Sequence, residues 1–301
     1  MIPICLVTGF LGTGKTTFLR HIVSQHGDRR IVYLVNEFSP RDVDGVLLEE
    51  VEEDVVAIPG GSIFCRCLVT QFVGSLNTIP ERFDSPHEPL EGVVIEASGV
   101  ADPMVIEQML EETKLDETYQ LATVVSVVDP GSLPKLVQTL PNISSQIKVA
   151  DVLLLNKIDL FSAGEVERTE AIAREINPDA PIIRTVRCAA EIDLFAGGGP
   201  RGLEGDYALC ADPNYARFSI GLDETFNTDM LARALEAHSE EIYRAKGIVR
   251  TEQGAAYVDM SPAGLTIETM EGPAKPTGLA MIARGDSSES VQELLHELSN
   301  P

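Results

Sequence analysis

No apolar run in this 301-residue chain reaches the about 18 residues that a membrane-spanning helix needs. Basic residues are scarce: 23 Lys and Arg stand against 47 Asp and Glu, a formal net charge of -24 with a pI near 4.5. A surface so acidic repels polyanions, which argues against nucleic acid and anionic membranes as partners and leaves cations and basic partners. Cysteines are few, namely Cys5, Cys65, Cys67, Cys188 and Cys210. Their odd number and mostly scattered positions argue against a disulfide framework and for a reducing, cytoplasmic setting. The five histidines, His21, His26, His87, His238 and His296, form no cluster, and no histidine-rich tract stands ready to store metal. Internal repeats and low-complexity tracts are also missing. Residues 1–9 are apolar but carry no basic leader and run into a glycine-rich loop, so they are expected to form a first strand and not a signal peptide.

What is present is an alternation of short apolar runs with amphipathic stretches over the first ~185 residues. Strands are expected at 4–8, 31–36, 55–58, 92–96, 122–129, 152–156 and 181–184. Several are nearly all Val, Ile and Leu, as a parallel strand covered on both faces requires. Helices are expected between them at 15–25, 68–78, 103–112 and 163–176. The pattern predicts an α/β fold with a doubly wound, mostly parallel sheet. Gly197-Gly198-Gly199-Pro200 and Asp212-Pro213 interrupt it. A different order follows: a strand near 218–222, a helix over 228–245, strands near 248–251, 255–260, 265–268 and 279–283, and a helix at 288–298. The expected organisation is a P-loop domain over 1–194, a linker over 195–215 and a smaller α+β domain over 216–301 with a mostly antiparallel sheet.

Gly9-Phe10-Leu11-Gly12-Thr13-Gly14-Lys15-Thr16 fits G-x-x-x-x-G-K-[ST] between a predicted strand and a predicted helix. Its glycines let successive N–H groups turn toward phosphate oxygens, and the helix N-terminus adds partial positive charge. Lys15 would reach the β- and γ-phosphates, Thr16 would offer its hydroxyl to Mg²⁺, and Thr17 can contact the α-phosphate. Asn156-Lys157-Ile158-Asp159 follows an apolar strand. A carboxylate there can accept both donors on the guanine edge, a pair that adenine lacks, so Asp159 selects GTP or GDP over adenine nucleotides. Lys157 would lay its stem on the base while Asn156 braces the loop. Glu96 ends another apolar strand, where an acidic group reaches Mg²⁺ directly or through water, and the N–H of Gly99 can sense the γ-phosphate. Asp129 reads equally as a site residue or as a helix cap.

Together these residues resemble the CobW-type metallochaperone GTPases. The likeness rests on the P-loop with Thr17, Asn36-Glu37-Phe38 with Asp44-Gly45, Glu96-Ala97-Ser98-Gly99, Ala101-Asp102-Pro103 and Asn156-Lys157-Ile158-Asp159. More weakly, Arg244-Ala245-Lys246-Gly247 matches the R-x-K-G of the family's small second domain. The resemblance implies GTP hydrolysis coupled to delivery of a transition metal or metal cofactor, with Zn²⁺, Co²⁺ or a corrinoid as cargo. The partner would be a client metalloprotein or corrinoid protein, and a homodimer is compatible with it. One departure stands out: where the family shows G-C-x-C-C, this chain has Gly61-Ser62-Ile63-Phe64-Cys65-Arg66-Cys67. In an extended segment, Cys65 and Cys67 share a face and can chelate a soft or borderline ion, with Glu37 or another carboxylate completing the shell. In a helix they diverge and are packing residues. Two other readings stay open: a GTP-dependent regulatory module that grips a client without transition metal, and a nucleotide kinase.

Overall fold

The computed structural model describes residues 1–37, 55–59, 63–65, 68–197, 199, 201–207, 214–220, 225–270, 278–285, 289 and 291–294. The chain forms two compact units, Met1–Cys210 and Ala211–Pro301.

In the first unit, the strands are β1 (Ile2–Thr8), β2 (Ile31–Glu37), β3 (Val55–Pro59), β4 (Gly92–Glu96), β5 (Tyr119–Val128), β6 (Val152–Leu155) and β7 (Ile182–Arg184). They make one seven-stranded sheet in the order β3-β2-β4-β1-β5-β6-β7. Every pairing in it is parallel. The helices are α1 (Lys15–Gln25), α2 (Val69–Phe83), α3 (Ile106–Glu112), α4 (Leu133–Leu136), α5 (Pro141–Lys148) and α6 (Ala163–Ile176).

All five residues of β4 are buried, because helices cover both faces of the sheet. Ile4 and Leu6 of β1 enter one core with Phe72 and Leu76 of α2. Cys5 and Val7 enter the other with Phe18 and Leu19 of α1. Since β1 lies between β4 and β5, the chain order reverses beside it. That is where open α/β sheets bind ligands, outside the carboxyl ends of the strands.

The expected helix at 68–78 continues to Phe83, through Pro80. Proline has no N–H for the carbonyl one turn earlier. That carbonyl, Leu76 O, instead accepts a 2.7 Å hydrogen bond from the Tyr119 hydroxyl. The short helices α4 and α5 were not anticipated from periodicity. The start of α6 is set by a capping box, in which Ser162 and Glu165 bond each other's backbone N–H groups. Residues 201–207 pack on the first unit. The N–H groups of Arg201 and Leu203 donate to the Glu107 carboxylate at 2.8 and 2.9 Å. The Arg201 guanidinium donates to Ala122 O at 2.7 Å and pairs with Asp151 at 2.7 Å.

The second unit holds β8 (Tyr215–Ile220), β9 (Thr225–Phe226), α7 (Thr228–Ala237), β10 (Ile242–Thr251), β11 (Gly254–Ser261), β12 (Gly264–Thr269) and β13 (Gly278–Arg284). Its sheet runs β12-β11-β10-β13-β8 with antiparallel neighbours, and β9 joins β10 in parallel. The helix expected over 228–245 ends at Ala237, and residues 242–251 form the central strand. Local propensity lost there to pairing on both edges, to β11 and to β13. A bidentate Arg244–Asp259 pair, 2.6 and 2.8 Å, crosses to β11. The core of this unit joins Leu231 and Leu235 of α7, Val249, Val258 and Met281 from the sheet, and Val291 and Leu294 of the C-terminal helical residues.

Candidate nucleotide-binding site

The loop between β1 and α1 adopts the curl that its glycines permit. Gly9, Gly12 and Gly14 have φ of 133, 75 and 116°, a region that L side chains avoid. Thr13 closes the loop by donating to Phe10 O through its hydroxyl at 2.9 Å. Lys15, largely buried, donates to the same carbonyl at 3.1 Å. The first turn of α1 opens at Gly14, whose carbonyl accepts Phe18 N at 2.9 Å. Thr17 is exposed on that turn.

Beside the loop, the parallel register sets Val7 against Glu96. The buried Glu96 carboxylate meets the hydroxyl of Thr16, which donates toward Oε1 and Oε2 at 3.2 and 3.4 Å. The two oxygen ligands expected for Mg²⁺ are thus neighbours, although 80 residues separate them. Gly99 lies flat on the phosphate loop; a Cβ there would sit 2.5 Å from Leu11 N. The carbonyls of Gly99 and Ala101 accept the side-chain amide of the buried Gln146 at 3.1 and 3.0 Å. Sequence reasoning missed Gln146, which lies in a helix that carried no motif.

From the other side, Asn156 braces the loop. Its Nδ2 donates to Thr13 O at 2.8 Å, and its Oδ1 accepts Cys188 N at 2.9 Å and the Thr185 hydroxyl at 3.2 Å. Lys157 adopts a left-handed backbone and donates to Gly12 O at 2.6 Å. Asp159 is exposed in a 3-10 turn, Ile158–Leu160. The Cys188 thiol donates to Gly14 O at 3.3 Å. Burial pushes its pKa up to about 12 against the opposing pull of Lys157. Thr185 and Cys188 were missed as well, since the short turn after β7 has no distinctive spacing. Asp129 acts as a cap: its Oδ1 accepts Gly131 N at 2.8 Å and Ser132 N at 2.9 Å. Burial raises its pKa, with Lys157 opposing.

The residues expected to hold a transition metal are only partly in view. Glu37 closes β2, and its side chain lies outside the described residues, as does all of Cys67 and the segment with Phe38, Asp44 and Gly45. Cys65 is buried and disulfide-bonded, whereas Cys5 and Cys188 are free. Thiolate chemistry there requires reduction first. Among the described residues, no group of three or more His, Cys, Asp or Glu can hold a metal ion. No helix among them is long and apolar enough to cross a membrane.

Comparison with known proteins places two parts of the chain. The family described as CobW/HypB/UreG, nucleotide-binding domain, matches residues 3–184. The cobalamin synthesis protein cobW C-terminal domain matches residues 215–299. The zinc chaperone YjiA of Escherichia coli (strain K12) is 31% identical over 194 residues, covering 64% of this chain and 59% of the relative. The zinc chaperone CobW of Pseudomonas aeruginosa is 28% identical over 228 residues, covering 65% and 60%. Zinc-regulated GTPase metalloprotein activator 1 of Dictyostelium discoideum is 28% identical over 237 residues, covering 66% and 48%. The chain thus spans between about half and three fifths of the length of these curated relatives. The solved Zn(II)-bound YjiA GTPase from E. coli aligns with a TM-score of 0.47 at 22% identity, over 99% of this chain and 98% of that one. The match over residues 3–184 covers more than half of the 301 residues, and the chain therefore belongs to the CobW/HypB/UreG nucleotide-binding family, with a cobW-type C-terminal domain.

Proposed function

We propose that this protein binds and hydrolyses GTP and couples that cycle to delivery of a transition metal, zinc in the first instance, to a client metalloprotein in the cytoplasm. The observation that carries the reading is the Thr16 hydroxyl against the Glu96 carboxylate at 3.2 Å, at the mouth of a loop built from left-handed glycines. A hydroxyl and a carboxylate, both hard oxygen donors, fit Mg²⁺, which keeps several waters and takes few protein ligands. Bound there, Mg²⁺ would neutralise charge developing on the phosphates. The chain supplies the rest. The P-loop N–H groups and Lys15 hold the phosphates, Gly99 offers its N–H on the γ-phosphate side, and Asp159 accepts the guanine donors. Asn156 and Lys157 tie the base-reading turn to the phosphate loop, so base recognition and phosphate geometry are set together. Cys65, Cys67 and Glu37 are the proposed metal-carrying residues.

A corrinoid protein as client and a homodimeric state belong to the same reading. The names of the zinc chaperones among its relatives support zinc as cargo. The test is phosphate release from GTP by the purified, reduced chain with and without Mg²⁺, together with zinc stoichiometry in the GTP and GDP states. GTP turnover that needs Mg²⁺, with zinc bound, is the expected result; ATP competing equally with GTP would refute the base assignment.

A second reading is favoured by the engaged sulfur of Cys65. It is a nucleotide-dependent module that grips its client without carrying metal. It prevails if the reduced chain binds no zinc in either nucleotide state.

A further inference from the structure

Asn36 stands next to last in β2, and its side chain is 4% exposed. Its Oδ1 accepts two backbone N–H bonds from segments far apart in sequence, from Ile63 at 3.0 Å and from Ser98 at 3.2 Å. Its Nδ2 donates to Ile58 O of β3 at 3.3 Å. Both segments gripped by that oxygen matter to the proposed cycle. Ser98 precedes Gly99, which lies against Leu11 of the phosphate loop with no room for a Cβ. Ile63 precedes the Cys65 turn by two residues. The carbonyl of Cys65 accepts Leu68 N at 3.1 Å and Val69 N at 3.0 Å, which starts α2. Between them, Phe64 is fully buried, with its ring edge-on to Phe72 at 6.1 Å.

We infer that Asn36 is a positioning residue that couples occupancy of the phosphate loop to the geometry of the Cys65 turn, through one carbonyl oxygen shared by Ser98 and Ile63. The inference rests, for its zinc readout, on the metal-carrier reading above. The links are backbone groups and buried side chains: Leu11 to Gly99, Ser98 N–H to Asn36, Asn36 to Ile63 N–H, then Phe64 and Cys65. Close-packed links of this kind transmit a displacement instead of absorbing it in a rotamer change. When a γ-phosphate contact moves Gly99, the acceptor that also holds Ile63 must follow or give up one bond. Linkage makes the effect reciprocal: nucleotide changes zinc affinity, and zinc changes nucleotide affinity by the same factor.

Two measurements on the reduced 301-residue chain test this. The first needs no metal. Amide exchange by NMR is compared with GDP and with a non-hydrolysable GTP analogue. In the unaltered protein, the Ser98 and Ile63 amides are expected to change protection together; in Asn36→Ala, Ser98 is expected to respond alone. The second is Zn²⁺ titration against a chromophoric chelator in both nucleotide states. The unaltered protein is expected to show an affinity ratio of about 5- to 150-fold, the usual span of coupling between two sites. Asn36→Ala is expected to bring the ratio to about one. Asn36→Asp keeps an oxygen that can accept both N–H bonds while losing the donor to Ile58 O, so it is expected to retain more of the ratio than Asn36→Ala. A purely structural role would weaken zinc binding equally in both states and leave the ratio intact. An Ile63 amide indifferent to nucleotide in the unaltered protein overturns the inference even if Asn36→Ala does not fold. So does an undiminished zinc ratio in a folded Asn36→Ala. Absence of zinc binding in the unaltered protein instead overturns the metal-carrier reading, and the exchange experiment still decides the role of Asn36.

Discussion

Replacing Asn156 by alanine removes three interactions at once: the donor to Thr13 O and the acceptor for Cys188 N and the Thr185 hydroxyl. At about 1 kcal/mol net for each hydrogen bond, the loss is about 3 kcal/mol. It tends higher, because Thr185 and Cys188 are buried and water does not easily replace the missing partner. With an m-value of about 2–3 kcal/mol/M in urea, the unfolding midpoint of the first unit should fall by about 1–1.5 M. Two transitions should be fitted, because the chain forms two compact units. Part of the same energy reappears in binding. If GDP must reorder a loop that Asn156 no longer holds, affinity falls by up to about 100-fold, at 1.4 kcal/mol per factor of ten. Titration with a fluorescent GDP analogue measures it. An unchanged urea midpoint together with GDP affinity within about twofold of the unaltered protein would refute the brace.

Asp159→Asn should weaken preference for guanine and admit xanthine nucleotides, because the amide reverses one donor-acceptor pair; competition among GTP, XTP and ATP reads it. Glu96→Gln should lower Mg²⁺-dependent hydrolysis by about 100-fold or more, in line with the several kcal/mol a catalytic metal ion contributes, while nucleotide affinity changes less. Equal turnover in the variant and the unaltered protein would remove Glu96 from the site. Lys15→Ala should abolish tight GTP binding, as followed by equilibrium dialysis. Burial pushes the pKa of Cys5 and of Cys188 from 9.0 to about 12. The folded chain therefore keeps two protons that the unfolded chain releases above pH 9. Stability present below pH 9 should be lost as pH rises toward 12, by about 1.4 kcal/mol per pH unit for each thiol. Cys5→Ala should lower that slope by about 1.4 kcal/mol per pH unit, read between about pH 9 and 10 in urea titrations, below the range where the raised Tyr119 and Tyr207 hydroxyls add to it.

The glycine-rich loop, the apolar strands and the turn at residues 156–159 were legible in order along the chain because each is a local device. A glycine at a left-handed position, or a run of Val, Ile and Leu, states its conformation within a few residues. Composition and pattern likewise carried the α/β class and the switch to a second sheet after residue 215. Other features depended on partners distant in sequence. The helix expected over 228–245 stops at Ala237, because β10 is claimed by two neighbouring strands, a pairing that no local window contains. α2 runs through Pro80 because Tyr119, 43 residues from Leu76, supplies the missing donor. Gln146 and Cys188 carried no motif of chemistry, and Asn36 entered only as part of the Asn36-Glu37-Phe38 likeness; their roles come from carbonyls and N–H groups brought to them by the sheet order. Residue types and spacing by themselves determined which groups this protein can present to a nucleotide. Only the tertiary structure decided which of them meet, because parallel strands β4 and β1 align Glu96 with the phosphate loop and carry Thr16 to within 3.2 Å of its carboxylate.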